Sequence, residues 1–302
     1  MIAAEPAVRG SAALRDELAG ARRRGLTVGL VPTMGALHAG HERLIERSAA
    51  ENGLTVVSIF VNPTQFGDPG DLESYPRCEE RDIEVATAAG AGICFVPDVS
   101  DIYPSGHSTR VCVRGPLTET LEGRQRGPSH FDGVCTVLSI LFALTGPDVA
   151  YFGAKDAQQL QVVRRMVGDL SLPLRIESVE TVRDAEGLAL SSRNERLAPA
   201  DRQASLSLSR ALAKAGRAIL AGNAGDAREV SSLGMQALRE GGSEPEYFAA
   251  VDPESFEQET VPGPETLLLC AARVGDVRLI DNMTASFAAE TGYGFDRDRE
   301  EI

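Results

Sequence analysis

The sequence lacks both glycine signatures that commonly mark a phosphate-binding turn: it has no Gly-x-x-x-x-Gly-Lys-Ser/Thr and no Gly-x-Gly-x-x-Gly. P-loop enzymes and ordinary dinucleotide-binding Rossmann enzymes are disfavoured on that ground. Positive charge is also short, with 30 Lys and Arg against 44 Asp and Glu and a net charge of −14. That balance argues against nucleic acid or an acidic membrane surface as a partner. Cysteine pairs are missing: Cys78, Cys94, Cys112, Cys135 and Cys270 are scattered, odd in number and form no Cys-x-x-Cys. A disulfide framework is not expected, and reduced thiols in a cytoplasmic protein are. No apolar run is long enough to span a membrane, and the opening Met1-Ile-Ala-Ala-Glu-Pro6 lacks the basic segment of an export leader. There are no repeats and no long low-complexity tracts.

What is present is ordinary globular material. The chain has 302 residues, 43% hydrophobic and 25% charged, enough for about two domains with sizeable cores. An acidic protein that binds an anionic nucleotide needs a local positive pocket and Mg²⁺ to offset repulsion.

One stretch organises the rest. Leu26–Val31 reads as a short buried strand, and Glu42–Ala50 as a helix with Leu44, Ile45 and Ala49 on one side. Between them lies Pro32-Thr-Met-Gly-Ala-Leu-His-Ala-Gly-His41. Gly35 and Gly40 permit close backbone approach to a ligand, and a helix start favours an anion through its amides and dipole. His38 and His41, three residues apart, share a helical face and can donate to phosphate oxygens. A nucleotide phosphate site is the economical reading. A plain capped helix entry and half of a zinc site remain as alternatives, although His107 and His130 lie far downstream.

Strands and helices then alternate. Strands are expected at Leu54–Val61, Gly92–Val96, Val149–Gly153 and Leu174–Val182. Helices are expected at residues 11–24, Glu79–Ala89, His130–Leu144 and Ala157–Leu170. This pattern predicts a doubly wound, Rossmann-like α/β domain with a parallel sheet and ligands at the carboxyl ends of its strands. Asn62-Pro-Thr-Gln-Phe-Gly67, Lys155-Asp156 and Ser191-Ser-Arg-Asn194 occupy such ends, where loops carry chemistry. Taken singly, each is also an ordinary turn, surface pair or helix cap. Beyond Asn194 come helical stretches at 200–220 and 227–240, strands at Tyr247–Val251 and Leu267–Val274, and a turn at Val274–Val277 leading to Arg278–Ile280. The expected division is a Rossmann-like domain over 1–184 and a smaller α+β lid domain over 185–290, hinged near Asp184–Gly187. A charged tail over 291–302 is expected to fray.

In combination these residues resemble the pantothenate synthetase (pantoate–β-alanine ligase) family of the nucleotidyltransferase superfamily. The resemblance runs from about Leu26 to Asn282. It is carried by the Pro32–His41 stretch, Ser58-Ile-Phe-Val-Asn-Pro-Thr-Gln-Phe66, Tyr75-Pro-Arg77, Leu121-Glu-Gly123 and His130-Phe131. Phe152-Gly-x-Lys-Asp-x-Gln-Gln-Leu160, Ser191–Asn194 and Arg278-Leu-Ile-Asp-Asn282 complete it. It implies an ATP- and Mg²⁺-dependent ligation of pantoate and β-alanine through pantoyl adenylate, releasing AMP and pyrophosphate, by a cytoplasmic homodimer.

By the same resemblance, His38, His41 and Lys155 are catalytic. Met34, Gly35, His38, Gly40, His41, Gly153, Lys155, Asp156, Val182, Leu190, Ser191, Ser192 and Arg193 bind ATP. Gln65 and Gln159 hold pantoate, Gln65 also meets β-alanine, Asn62 and Tyr75 line the pocket, and Asp82 stands near Mg²⁺ through water. Ala154 and Ala157 replace the usual acid and aromatic, and Arg81 an acid; the turn before His130 is one residue longer than usual. No residue assigned to chemistry is altered. A nucleotidyltransferase acting on a phosphorylated substrate, or a non-catalytic nucleotide-binding protein, are the alternative functions.

Overall fold

The computed structural model describes residues 7–67 and 69–291. The chain forms two compact units: one runs to Ala154 and includes Gln158–Glu180, and the other comprises Lys155–Ala157 and the chain from Thr181 onward. The change of unit thus falls at Glu180/Thr181, four residues before the position expected from the sequence. Asp184–Gly187 is instead a tight turn inside the second unit, closed by Gly187 N–H donating to Asp184 O at 3.0 Å. The charged tail lies outside the described residues.

The first unit is built on six strands, β1 (Ala7–Val8), β2 (Val28–Thr33), β3 (Leu54–Ile59), β4 (Ile93–Phe95), β5 (Val149–Gly153) and β6 (Arg175–Val179). They lie in the order β1-β4-β3-β2-β5-β6, and every pairing is parallel. The doubly wound sheet expected from the alternation is present. β2 is apolar nearly throughout because a central parallel strand is covered on both faces. Val31, Ile45, Val57, Cys94 and Tyr151 are fully buried in its core. Each buried aliphatic side chain of this kind contributes about 1.5–3 kcal/mol relative to exposure. The Ala39–Glu51 helix packs on β2 at Gly29, where a Cβ would lie 2.2 Å from Ser48 Oγ. Only glycine permits that approach.

The second unit is different in kind. Its strands β7 (Glu244–Val251), β8 (Leu267–Val274) and β9 (Val277–Thr284) form an antiparallel sheet. β8 and β9 are joined by the expected hairpin, with Gly275 at φ 54°. Two helices, Ser207–Leu220 and Ala227–Glu240, supply Ala211, Leu212, Ala215 and Val230 to its core. The single helix expected over 200–220 is broken at Leu206, with 3-10 and α-helical turns before it. A short C-terminal helix, Ala285–Glu290, was not foreseen; it packs so closely that a Cβ on Gly216 would meet Ala285 O at 2.6 Å.

Candidate active site

Topology points to a location before any side chain is considered. From β2 the next strands in sequence are added on one side, and β5 and β6 on the other. Ligands of doubly wound sheets bind outside the carboxyl ends of the strands at such a switch point. Here β2 and β5 also part company. β2 pairs with β3 as far as Thr33, but with β5 only at Gly29 and Leu30. Pro32, with no N–H to donate, lies in the unpaired half.

The turn after β2 carries Met34, Gly35, His38, Gly40 and His41. Gly35 and Ala36 both have left-handed backbone, at φ 83° and 50°. The carboxylate of Asp82 braces them, accepting from Ala36 N–H at 2.8 Å and Leu37 N–H at 2.7 Å. Asp82 is 2% exposed, and a Cβ on Gly35 would lie 2.8 Å from its Oδ2. Both oxygens of Asp82, which the resemblance places near Mg²⁺ through water, are thus engaged by backbone amides. Among the described residues no three His, Cys, Asp or Glu side chains cluster as a metal site, and the zinc alternative has no support there.

His38 is the N-cap of the Ala39–Glu51 helix. Its Nδ1 accepts from Gly40 N–H at 3.1 Å, and His41 Nδ1 accepts from His38 N–H at 3.3 Å. The ring centroids are 4.1 Å apart. The plain capped-helix reading and the functional one are therefore compatible: the same two histidines make a reciprocal capping box. An Nδ1 that accepts a backbone N–H leaves the ring proton of the neutral imidazole on Nε2. Gly40 has to be small, since a Cβ would meet His38 Cε1 at 2.8 Å. The expectation that backbone amides cradle an anion fares less well. The N–H groups of Ala36, Leu37, His38, Gly40 and His41 already have acceptors within the turn, its helix or Asp82.

The loop after β3 brings together Asn62, Gln65 and groups that the sequence did not mark. Asn62, 1% exposed, donates from Nδ2 to Gln65 Oε1 at 3.0 Å and to Gly133 O at 3.1 Å. Its Oδ1 accepts from Thr64 N–H and Oγ1–H, and from Tyr103 O–H at 2.8 Å. Gln65 Nε2 lies 2.9 Å from Met34 Sδ. The loop is clamped by the Pro128–Thr145 helix. His130 Nδ1 is 2.9 Å from Gln65 O, and a Cβ on Gly133 would lie 2.5 Å from Thr64 O. Burial pushes the Tyr103 hydroxyl above its ordinary range, so it stays a donor. Tyr75 packs edge-on to Phe66, with centroids 5.6 Å apart.

Gly153 ends β5, and Gln159 is half-buried on the following Ala157–Asp169 helix. Its neighbour Gln158 is structural: buried, it accepts from Glu122 N–H and donates to Leu117 O and Thr120 O. Ala157, at the departure from the family pattern, is buried as well.

The other residues assigned to ATP fall in the second unit. Asp156 is exposed, and Lys155 is half-buried and held by Asn282 Nδ2 donating to its carbonyl at 2.7 Å. Leu190 N–H donates to Val182 O, closing a hairpin that Arg183 and Ala189 bridge. Ser191 Oγ caps the following 3-10 turn by accepting from Arg193 N–H. Behind this hairpin Arg183 forks onto Asp281 at 2.7 and 2.8 Å, an ion pair whose side chains are 6% and 3% exposed.

Tyr103, Gly133 and Arg183 were missed. Tyr103 sits in no motif of its own, and Gly133 matters only through the backbone it approaches. His130 was visible in a motif, but without a role.

Comparison with known proteins gives these positions a context. The family model described as pantoate-beta-alanine ligase matches residues 7–284. A pantothenate synthetase of Moorella thermoacetica is 47% identical over 276 residues, covering 90% of this chain and 95% of that protein. One from a Nocardioides species is 50% identical over 278 residues, covering 88% and 81%. The crystal structure of pantothenate synthetase from Thermus thermophilus superposes with a TM-score of 0.86 at 44% identity, covering 92% of this chain and 99% of that one. That of pantoate-beta-alanine ligase from Francisella tularensis, complexed with beta-gamma ATP and β-alanine, has a TM-score of 0.77 at 30% identity, covering 94% and 98%. With a family match spanning both units and relatives this similar over nearly all of its length, the chain belongs to the pantoate–β-alanine ligase family.

Proposed function

We propose that this protein joins pantoate to β-alanine at the expense of ATP, making pantothenate through a pantoyl-adenylate intermediate and releasing pyrophosphate and then AMP. Family membership carries the reaction, and the reciprocal His38–His41 cap is the observation that carries the site. A carboxylate oxygen is a poor leaving group; adenylation joins it to the α-phosphorus as a mixed anhydride, from which AMP departs when the amine attacks. Attack of pantoate on the α-phosphorus builds charge on the pentavalent centre and on the leaving pyrophosphate. His38 and His41, held at a helix start with Nε2 as the protonated ring nitrogen, are suited to donate to those oxygens while neutral. Charge stabilisation rather than proton delivery is their role.

Lys155 is assigned to the triphosphate as a mobile point charge, with Ser191, Ser192 and Arg193. Met34, Gly35, Gly40, Gly153, Asp156, Val182 and Leu190 are assigned to the rest of ATP. Gln65 and Gln159 are assigned to pantoate, Gln65 also to β-alanine, and Asn62 and Tyr75 to the pocket wall. Mg²⁺ is assigned to the ATP phosphates, where a strongly hydrated ion is usually held. Asp82, its oxygens engaged by the Ala36 and Leu37 amides, is assigned near that ion only through water, and no step is routed through it.

Among the described residues no helix is long and apolar enough to cross a membrane. A cytoplasmic homodimer completes the proposal. Incubation with pantoate, β-alanine and Mg-ATP, read by mass spectrometry, should yield pantothenate and AMP in equal amounts. ADP as the nucleotide product, or no pantothenate from folded protein supplied with all three substrates, would contradict it.

A further inference from the structure

Side-chain amides are ambiguous in direction until their surroundings decide which end is oxygen. For Asn62 the backbone decides. Its nitrogen faces Gly133 O, which only accepts, and its oxygen faces Thr64 N–H, which only donates. A reversed amide would set two acceptors and two donors against each other in a buried site, at a cost the unreversed one avoids. The hydroxyl of Tyr103 adds a donor to the oxygen end. The remaining proton of Asn62 Nδ2 then points at Gln65, so Gln65 must turn its oxygen inward. Its NH₂ group is on the side of Met34, and His130 and Gly133 fix the backbone from which it projects.

We infer that Asn62 and Tyr103 are positioning residues that set the polarity of Gln65, making it a hydrogen-bond donor to lone-pair oxygens of pantoate. This rests on the functional reading above and sharpens it: an amide side chain otherwise able to donate or accept is committed to donating. It selects a substrate that offers acceptor oxygens, of a carboxylate or a hydroxyl, at that point, and it disfavours one that offers only N–H there.

Asn62→Asp is the test, because it keeps the shape and removes the proton aimed at Gln65. Ionised, the new carboxylate accepts from both sides and turns the Gln65 amide over; protonated, it can donate to Gln65 Oε1 again. The titratable groups that hydrogen bonds and ring contacts place against this cluster are Tyr103, His130 and, beside Tyr103, His107. All three are present in both proteins, so the ratio of variant to parent at each pH isolates the introduced carboxyl. Expected at alkaline pH is a KM for pantoate raised by about 10–100-fold, the effect of losing a hydrogen bond to a charged group. The KM for ATP should stay near the parent value, and the pantoate ratio should fall toward one as pH is lowered. Tyr103→Phe should raise the same KM by a smaller factor. In the folded parent protein, the ¹⁵N resonance of the Gln65 side-chain amide should shift on adding pantoate.

A pantoate ratio near one at every pH, or a defect that does not vary with pH, overturns the inference. So does a Gln65 amide indifferent to pantoate. If the parent protein fails to turn over pantoate at all, the functional reading has failed instead.

Discussion

The two units hold their assigned residues in contrasting ways. In the first, His38, His41 and Gln65 are each tied by side-chain or backbone hydrogen bonds to groups of the same unit, and the turn beneath the histidines is pinned by a buried carboxylate. In the second, Lys155 is held through its carbonyl, and Ser192 and Arg193 begin the 3-10 turn Ser192–Arg196, which Ser191 caps. Fixed groups suit the atoms whose direction matters, namely the neutral donors proposed for pantoate and for the oxygens of the reacting phosphate. A lysine with a flexible stem suits charge that moves as pyrophosphate leaves. The buried side-chain ion pair of the second unit, Arg183–Asp281, lies behind that turn.

The contrast can be broken first at that buried pair. Asp281→Ala leaves a guanidinium buried without its fork, and stability should fall by about 3–5 kcal/mol in denaturant unfolding. A loss under about 1 kcal/mol, the range of exposed pairs, would mean the pair is not the keystone of the hairpin.

Next comes the chemistry of the first unit. His41→Ala removes the donor proposed for the developing charge, and the adenylation rate should drop by about 10²–10³-fold, as for loss of one such donor elsewhere. The helix cap it shares with His38 should cost only about 1 kcal/mol of stability. Lys155→Ala should also slow adenylation strongly, with the fold intact by circular dichroism. An unchanged rate in either variant removes that residue from the mechanism.

Smaller effects separate position from charge. Gly133→Ala forces a methyl into the Thr64–Gln65 backbone and should destabilise the protein by about 1–3 kcal/mol while raising the KM for pantoate. Asp82→Asn loses one acceptor for the Ala36 and Leu37 amides. It should raise the KM for ATP without moving the Mg²⁺ dependence, whereas a shifted Mg²⁺ dependence would tie Asp82 to the metal.

The mildest test is acid. The hydrogen-bonded Arg114 guanidinium holds the Asp132 carboxyl below its ordinary value, outweighing burial. A carboxylate with a lowered folded-state pKa adds stability that is present above about pH 4 and is lost as pH falls through the folded-state value. Asp132→Asn should flatten the stability curve below about pH 4 and leave its shape at neutral pH.

Much of this was legible in the sequence because it is local. Strand β2, the glycines of the turn and the histidine spacing are readable from periodicity and turn chemistry, and they found the doubly wound sheet and the helix start that His38 caps. Contacts distant in sequence were not legible. Asp82 lies 46 residues beyond the Ala36 amide it accepts from, and Tyr103 lies 41 beyond Asn62. A lone Asp in a helix or a lone Tyr in a loop carries no mark of its distant partner. The break at Leu206 was hidden for the opposite reason, since the Ala- and Leu-rich composition around it favours a continuous helix.

The measurement that tests the central claim most directly is ATP–pyrophosphate exchange with Mg²⁺ in the absence of β-alanine. Exchange that appears only when pantoate is added is the predicted result, since it requires a reversible pantoyl adenylate formed before the amine arrives. No exchange from folded protein that binds ATP and still makes pantothenate when β-alanine is supplied would contradict a free-standing adenylate.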